Sequence, residues 1–418
     1  MSMRSCLLIF CTVFLCAGVT FSDEPTAGPA SPALLVDVSA PAAFTAGTLT
    51  RNGQKIPAGE VIAAPGKFGN ALKFSFVENS SGGFHAARLH PTPQWDSADG
   101  FSFWVKGDGS KSFGGIEMID RDDYSLRYGY CFPIDSTEWK KITVRWSDLT
   151  PELAGPLIGG KDGYPPSHFG SFFFGKWFYW RDYPAHSFTI DRIALEPKIP
   201  AAEIPAINPA DTGLKRLRAK LAKHPPITLV TMGDSLTDQH HWSNREVVWH
   251  GLLAEAIKAK YGSQVKVINP AIGGTTLSQN MILMPRWLAE APEPDLVTVW
   301  FGGNDWDSKV RGPRFGEYLR LCVDRIRAQT HGHADILLMT NIPSHDMWET
   351  RKELEEVTRQ VAKEKQCAVA DIGAAFRVNP TPDAAFAAGY WGFDKVHLGR
   401  KGHEVTRDTV MKVIEVPE

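Results

Sequence analysis

The stretch ITLVTMGDSL at residues 227–236 joins an apolar, β-branched run to a glycine, an acid and a serine. The run itself, residues 227–232, predicts a buried strand of a parallel sheet. Similar runs follow at residues 265–272, 295–302, 335–342 and 368–373. Helical patterns lie between these runs, and alternation of strand and helix through about five units predicts a doubly wound α/β domain.

Polar residues follow the predicted strands at the points where the strands end. Ligands of open α/β sheets bind at the carboxyl ends of the strands, so these residues are the candidates for a functional site. They are GDSL at 233–236, GG at 273–274, GGND at 302–305 and, before the last predicted helix, DKVH at 394–397. We expect a hydroxyl, a glycine backbone, a carboxamide and an acid–histidine pair to meet at one edge of the sheet.

Each of these groups suits one part of ester cleavage by a serine. Ser235 is the candidate nucleophile, and His397 is the candidate base that takes its proton. Asp394 either fixes the imidazole tautomer and stabilises the imidazolium, or holds the loop. The backbone N–H groups of Ser235 and Gly274 and the side-chain amide of Asn304 are the candidate donors of an oxyanion hole.

The four blocks together resemble those of the GDSL-type, or SGNH, hydrolase family over residues 227–414. The matching residues are Ser235, Gly274, Asn304 and His397. The resemblance implies a flavodoxin-like α/β/α sandwich with a five-stranded parallel sheet. It also implies acyl-ester hydrolysis through an acyl-serine intermediate, without a metal or other cofactor. Because two glycines stand together in the second block, the donor there is Gly274 or its neighbour Gly273.

Other polar residues near the blocks have simpler interpretations. Asp234 and Asp305 are expected to bind loop backbone, as aspartate does in turns. His240 and His241 follow the nucleophile turn without further ligands at metal-binding spacing, so we predict no metal there. His403 lies in the last predicted helix and is interpreted as a structural residue.

Residues 34–196 form an all-β pattern. Alternating segments such as LKFSF at 72–76, FSFWV at 101–105 and ITVRW at 142–146 predict half-buried strands. We find no convincing helix there. Many short strands over about 160 residues predict a sandwich or jelly roll. A proline-rich linker is expected at 197–213, before the hydrolase domain at 214–418, whose first helix carries Leu214, Leu217 and Leu221 after an Asp211/Thr212 cap.

The front module resembles the galactose-binding-like jelly rolls of carbohydrate-binding modules. The residues that carry this resemblance are FSFWVKGDGS at 101–110, WKKITVRWSDL at 139–149 and FTIDRIAL at 188–195. It implies a structural calcium, for which Asp37 and Asp191 are the candidates.

Aromatic residues are the candidates for substrate contact. Trp306 and Trp391 flank the Asn304 and Asp394 motifs, as core packing or as walls of a cleft. In FFFGKWFYWRDY at 172–183, Phe172 and Phe174 are expected to face inward. The residues of this segment that could stack on sugar rings are Trp177, Tyr179, Trp180 and Tyr183. The competing interpretation is a sandwich strand and loop in a module that only shapes the catalytic cleft.

The first residues read as a targeting segment. Arg4 precedes an apolar run at residues 6–19, which is too short to span a bilayer and is typical of a signal peptide at residues 1–22. Residues 23–33 predict a flexible leader. Cys131, Cys322 and Cys367 remain in the mature chain, too few and too scattered for a disulfide framework. We therefore expect a secreted or periplasmic protein that has no membrane segment after cleavage.

Composition narrows the class of protein further. The chain has 418 residues, 45 Lys and Arg against 47 Asp and Glu, and a net charge of −2, which argues against a nucleic-acid partner. The hypothesis is a secreted esterase that removes O-acetyl groups from a polysaccharide. The alternatives are a lipid or small-ester hydrolase, and a noncatalytic glycan-binding protein.

Overall fold

The computed structural model describes residues 33–47, 50–51, 54–55, 59–78, 83–159, 163–175, 184–206 and 213–415. The predicted signal peptide, nearly all of the leader and the four aromatic residues at 177, 179, 180 and 183 lie outside the described residues. The chain from Ala33 onward forms one compact unit. None of the described helices is long and apolar enough to cross a membrane.

The N-terminal half of this unit is a β-sandwich of two antiparallel sheets. Its strands are β1 (Leu34–Val36), β2 (Thr45–Gly47), β3 (Thr50–Arg51), β4 (Gln54–Lys55), β5 (Glu60–Pro65), β6 (Asn70–Phe76), β7 (Phe84–Arg88), β8 (Gly100–Gly107), β9 (Phe113–Asp120), β10 (Arg127–Pro133), β11 (Lys140–Arg145), β12 (Thr150–Pro151), β13 (Phe169–Gly175) and β14 (His186–Glu196). One sheet has the order β11-β8-β14-β6-β5 with β1 on β14, and the other has the order β12-β10-β9-β13-β7-β2, while β3 and β4 pair only with each other. The predicted jelly-roll class is confirmed.

Aromatic side chains fill the space between the two sheets. Phe172 and Phe174 on β13 are 0% exposed, which confirms that they face inward. The Phe174 ring lies 4.7 Å from the Phe74 ring of the opposite sheet, centroid to centroid. Burial of each such ring stabilises the fold by about 1.5–3 kcal/mol. A single helical turn, α1 (Gln94–Ser97), interrupts the strands where the sequence predicted none.

The C-terminal half is a parallel sheet between two layers of helices. Its strands are β15 (Ile227–Gly233), β16 (Val265–Ile268), β17 (Leu296–Trp300), β18 (Asp335–Met339) and β19 (Ala368–Ala370), in the order β16-β15-β17-β18-β19. Its helices are α2 (Lys215–Leu221), α3 (Trp249–Tyr261), α4 (Leu277–Ile282), α5 (Met284–Leu288), α6 (Gly303–Asp307), α7 (Gly312–Gln329), α8 (Lys352–Glu364), α9 (Ile372–Phe376), α10 (Pro382–Ala387) and α11 (Arg400–Glu415). The central strands β17 and β18 are buried along their whole length, as their apolar sequences require. The predicted α/β class is confirmed.

Four of the five predicted strands, β16 to β19, end two to four residues earlier than expected, and two of these ends have an evident cause. The run at 265–272 leaves the sheet after Ile268, because the Asn269 amide donates to the Thr231 hydroxyl at 2.7 Å and Pro270 has no N–H for a ladder. The run at 368–373 ends at Ala370, because the Asp371 carboxylate accepts from Ala374 N–H and begins α9. Both turns place polar groups at the carboxyl edge of the sheet.

The linker is only partly described. Residues 197–206 contain no helix or strand, and residues 207–212, with the predicted cap at 211–212, lie outside the described part of the chain. The following helix α2 begins after Leu214, whose side chain makes no capping hydrogen bond. The linker boundaries therefore stay a prediction.

The sandwich packs directly against the C-terminal half. Phe113 and Cys131 of the sandwich form one apolar cluster with Ile272, Ile282 and Leu283 of the C-terminal half. Ile272 immediately precedes the Gly273-Gly274 block. The sandwich therefore supports the segment that carries one of the candidate oxyanion donors.

A hydrogen-bonded contact reinforces this packing. The Arg325 guanidinium on α7 donates to the carbonyls of Ser147 and Asp148, at 2.8 and 3.0 Å, and to the hydroxyl of Thr150. The hydroxyl of Tyr318, two turns earlier on the same face of α7, lies 2.7 Å from the carbonyl oxygen of Gly155. These donors satisfy sandwich backbone that would otherwise face apolar helix surface.

We expect Arg325→Ala to destabilise the protein by about 3 kcal/mol, because it leaves several interface acceptors without a charged donor. The change should lower the urea midpoint of the transition followed by tryptophan fluorescence. Arg88→Ala, which removes an exposed arginine of β7, is the matched control and should leave the midpoint unchanged. Equal midpoints for Arg325→Ala and wild type would contradict an interface held by this side chain.

Candidate active site

Ser235 stands at the carboxyl end of β15, in a turn that its neighbours fix. The Asp234 carboxylate accepts the N–H of Leu236 at 3.0 Å. A Cβ on Gly233 would lie 2.4 Å from the Thr237 hydroxyl oxygen, so only glycine fits before the turn. The Ser235 side chain is half-buried and faces the loop before α11.

A continuous series of hydrogen bonds joins Ser235, His397 and Asp394. His397 Nε2 lies 2.9 Å from Ser235 Oγ, and His397 Nδ1 lies 2.5 Å from Asp394 Oδ2. The other Asp394 oxygen accepts the N–H groups of Val396 and His397, at 3.2 and 3.1 Å. Asp394 therefore fixes both the imidazole ring and the backbone of the loop that carries it.

The charge of Asp394 suits this arrangement. Partial burial raises the pKa of its carboxyl, but the hydrogen bonds from the His397 side chain and from the two N–H groups prevail and lower the pKa. An ionised Asp394 accepts a hydrogen bond from Nδ1–H and so keeps the imidazole proton on Nδ1. Nε2 is then the acceptor that faces the serine hydroxyl.

The two glycines of the second block have different partners. The Gly273 N–H donates to the Asp238 carboxylate at 2.9 Å, so Gly274 is the better candidate for an oxyanion donor. Gly274 has a φ of 82°, a left-handed conformation that favours glycine. Asn304 is tied to the same loop, because its amide nitrogen donates to the Thr275 carbonyl at 3.0 Å. An amide has two N–H hydrogens, so one is left for a ligand.

The two further acids of the motifs bind backbone, which confirms their predicted structural role. Both oxygens of Asp305 lie within 3.4 Å of the Leu277 N–H at the start of α4. Burial raises the pKa of Asp234 to about 6. Burial also raises the pKa of Asp305 to about 7, and the nearby Asp234 adds to the effect.

The remaining histidines have separate surroundings. The His241 ring packs on the His397 ring with centroids 4.4 Å apart, and its Nδ1 lies 2.8 Å from the Ser243 hydroxyl. His240 is exposed, with Nδ1 3.7 Å from an Asp238 oxygen. His403 is fully buried in α11, and burial lowers its pKa to about 4, so it is a neutral core residue. The described residues include no group of three His, Cys, Asp or Glu that could hold a metal ion.

The tryptophans predicted to flank the site differ in exposure. Trp391 is 3% exposed and packs edge-on against Trp348 at 5.8 Å, so it is a core residue and does not wall a cleft. Of the two interpretations that the sequence allowed for Trp391, core packing is therefore the correct one, and its place as a substrate-contact candidate is wrong because adjacency to a motif says nothing about the direction of a side chain. Trp306 is half-buried under the Arg311 guanidinium, 3.9 Å from the ring centroid. Trp177 and Trp180 lie outside the described residues.

Two aromatic residues that the sequence did not suggest do stand at the site. Trp242 is 44% exposed, and Phe393, at 81%, is the most exposed large apolar side chain of the described residues. The Trp242 ring lies 5.5 Å from the His397 ring. A hint was present in the sequence, since each aromatic stands within a few residues of a motif, but the pattern does not give exposure.

Both calcium candidates accept a hydrogen bond from a backbone N–H group. Asp37 accepts the Ser39 N–H and Asp191 accepts the Phe68 N–H, both at 2.8 Å. Calcium takes about six to eight oxygen ligands, which these two carboxylates alone do not supply. Calcium binding here stays a prediction.

Comparisons with solved structures found similar folds at low identity. An acetylxylan esterase, Axe2, from Geobacillus stearothermophilus is 23% identical over 47% of this chain and 97% of its own, with a TM-score of 0.37. A family 11 carbohydrate-binding module from Clostridium thermocellum is 18% identical over 40% of this chain and 97% of its own, with a TM-score of 0.31. The YxiM protein of Bacillus subtilis is 13% identical over 85% of this chain and 87% of its own, with a TM-score of 0.38. No curated protein matches the chain significantly.

Family models match both halves of the chain. The model of the GDSL-like lipase/acylhydrolase family matches residues 231–405, which include Ser235, Gly274, Asn304 and His397. The model of the carbohydrate binding domain, family 11, matches residues 35–155. The protein is therefore a carboxylic ester hydrolase whose C-terminal part is a GDSL-like lipase/acylhydrolase domain, preceded by a β-sandwich of the family 11 carbohydrate-binding type.

Proposed function

We propose that the protein is a secreted or periplasmic serine esterase that removes acyl groups, chiefly acetyl, from a polysaccharide through an acyl-serine intermediate. The observation that carries the proposal is the hydrogen-bonded series Ser235–His397–Asp394 at the carboxyl edge of the sheet. A nucleophile, a base within hydrogen-bond reach and a group that orients the base are the three parts that such catalysis needs.

Acylation begins with proton transfer from Ser235 to His397 and ends with proton transfer from His397 to the leaving alcohol. His397 Nε2 takes the proton of Ser235 Oγ as that oxygen attacks the ester carbonyl carbon. The carbonyl oxygen becomes an oxyanion, which the N–H groups of Ser235 and Gly274 and the free amide hydrogen of Asn304 stabilise. When the tetrahedral intermediate collapses, the bond to the alcohol oxygen breaks and His397 donates its proton to that oxygen.

Deacylation repeats the same steps with water. His397 takes a proton from a water molecule that attacks the acyl-serine carbonyl, and the same donors stabilise the second oxyanion. Collapse returns the proton to Ser235 Oγ and releases the carboxylate product. Asp394 stays ionised throughout and stabilises the imidazolium that forms in both halves. His397 makes every proton transfer in both halves, so the proposed reaction needs no metal ion.

The β-sandwich supports a polysaccharide as substrate. Its family model is that of a carbohydrate binding domain, and its packing against Ile272 joins it to the catalytic half. The apolar run that follows Arg4 supports export of the protein to a compartment in which such polymers occur. The lipase/acylhydrolase description of the other family model favours a second candidate, a lipid or small-ester hydrolase.

The test is acetate release by the chain without residues 1–22 from acetylated xylan, mannan and pectin, beside phenyl acetate and tributyrin. We expect release from at least one polysaccharide, at a kcat/KM above that for the small esters and unchanged by a chelator. Cleavage of phenyl acetate or tributyrin alone would favour the second candidate. Glycan binding without any hydrolysis would contradict the enzyme and favour a noncatalytic glycan-binding protein.

A further inference from the structure

Trp242 and Phe393 form an exposed aromatic surface next to the catalytic histidine. Their ring centroids are 5.1 Å apart, with 34° between the ring planes. Val396, two residues after Asp394, is 43% exposed. We call the Trp242–Phe393 pair the aromatic shelf. Aromatic side chains gain most from burial, so an exposed pair of them beside a reacting group points to a ligand.

Both members of the shelf are fixed relative to the reacting atoms. Trp242 begins a short 3₁₀ turn, Trp242–Asn244, in which the Asn244 amide donates to the Ser235 carbonyl at 2.8 Å. Phe393 immediately precedes Asp394, and the N–H of Gly392 donates to the His397 carbonyl at 2.7 Å, which closes the loop. The shelf is therefore built on the same two turns as the nucleophile and the base.

The chemistry of acylation determines which part of the substrate lies next to the aromatic shelf. His397 must deliver its proton to the alcohol oxygen as the ester bond breaks, so the alcohol part lies on the histidine side of Ser235. The acyl oxygen lies toward Gly274 and Asn304, where the oxyanion donors are. A group next to the imidazole, such as the Trp242 ring at 5.5 Å, thus borders the alcohol and not the acyl group.

We propose that the aromatic shelf binds the alcohol part of the ester and that this part is a pyranose ring. The proposal rests on the proposed function and names the subsite for the sugar. Two ring faces at a shallow angle suit the flat, C–H-rich face of a pyranose, whose hydroxyl groups can stay in water. A lipid chain would instead need an enclosed apolar groove, whereas both rings of the shelf are open to solvent.

The test compares two acetate esters that differ only in the alcohol. Peracetylated methyl β-xylopyranoside offers a pyranose alcohol at every position, and ethyl acetate offers an alcohol too small to reach both rings. The variants are Trp242→Ala, Phe393→Ala and the double variant. We expect the ratio of kcat/KM for the sugar ester to kcat/KM for ethyl acetate to fall about tenfold in each single variant, and further in the double variant.

Two further variants separate binding from general damage to the site. Trp242→Phe keeps an aromatic face and should retain most of the wild-type ratio. Val378→Ala removes an apolar side chain that is 74% exposed and that belongs to no part of the site, and it should leave the ratio unchanged.

The outcomes distinguish the shelf from the proposed function. If wild type cleaves the sugar ester but the ratio stays constant in the shelf variants, the shelf is not the sugar subsite and the proposed function stands. A parallel loss on both esters would show that Trp242 only holds His397 in place. If wild type cleaves ethyl acetate and no sugar ester, both the subsite and polysaccharide deacetylation are wrong.

Discussion

Replacing Ser235 by alanine should lower kcat for ester hydrolysis by about 10⁶-fold, the loss typical of a serine nucleophile. The expectation follows from geometry, because Ser235 Oγ is the hydroxyl that lies 2.9 Å from His397 Nε2. Without it no acyl-serine can form, and only the oxyanion donors remain to assist direct attack by water. Wild type and variant should be compared by acetate release from the best ester found for wild type, at equal protein concentration.

The variant also has a structural readout. Alanine keeps the β15 turn, which depends on Asp234 and Gly233, so the urea midpoint should not change. Ser125→Ala removes a hydroxyl that donates to Asp123 in an exposed turn of the sandwich, and as the matched control it should keep the wild-type activity. A Ser235→Ala protein that retains a tenth of wild-type activity would mean that another group is the nucleophile.

Trapping the intermediate gives an independent check. A wild-type chain treated with an organophosphonate or a slow ester substrate should gain mass on the peptide that contains Ser235, and the alanine variant should not. The same mass on a peptide without Ser235 would contradict the mechanism even if the kinetic loss were observed.

The fold of the catalytic half could be predicted because its signals are local. Each strand run is apolar for most of its length, and each motif follows directly, so the order of the motifs along the chain already places them on one edge. The strand ends were less accurate. Asn269 and Asp371 terminate β16 and β19 through side-chain hydrogen bonds whose partners are fixed only in the folded protein.

The surroundings of the catalytic residues could not be predicted in the same way. Trp391 and Phe393 stand two residues apart and both adjoin the histidine motif, yet one is 3% and the other 81% exposed. The segment between them is an irregular loop, which has no periodicity to distinguish an inward from an outward side chain. Arg325 shows the same limit, because an arginine on a helix pattern gives no sign that its partners include backbone carbonyls 177 and 178 residues away.

His397 and Ser235 act as one unit in the proposed mechanism, and this leads to the second large effect. His397→Ala should lower kcat by about 10⁶-fold, as much as Ser235→Ala, because a serine hydroxyl without a base is a poor nucleophile. The double variant should then be no slower than either single variant, since each change alone already removes the pathway. His333→Ala, at an exposed position just before β18 and away from the motifs, is the histidine control.

The comparison with the double variant is what makes this prediction informative. If the effects of the two changes multiplied, Ser235 and His397 would act in separate steps, and the 2.9 Å contact between them would not be the proton path.

Asp394→Asn adds a graded comparison. The new amide would donate to Nδ1 and place the imidazole proton on Nε2, which blocks proton acceptance from Ser235. We expect kcat to fall by about 10⁴-fold. A loss near 10⁴-fold for the asparagine and near 10⁶-fold for the other two would assign orientation to Asp394 and proton transfer to His397. A negligible loss for the asparagine would mean that Asp394 only stabilises the loop, by accepting hydrogen bonds from the N–H groups of Val396 and His397.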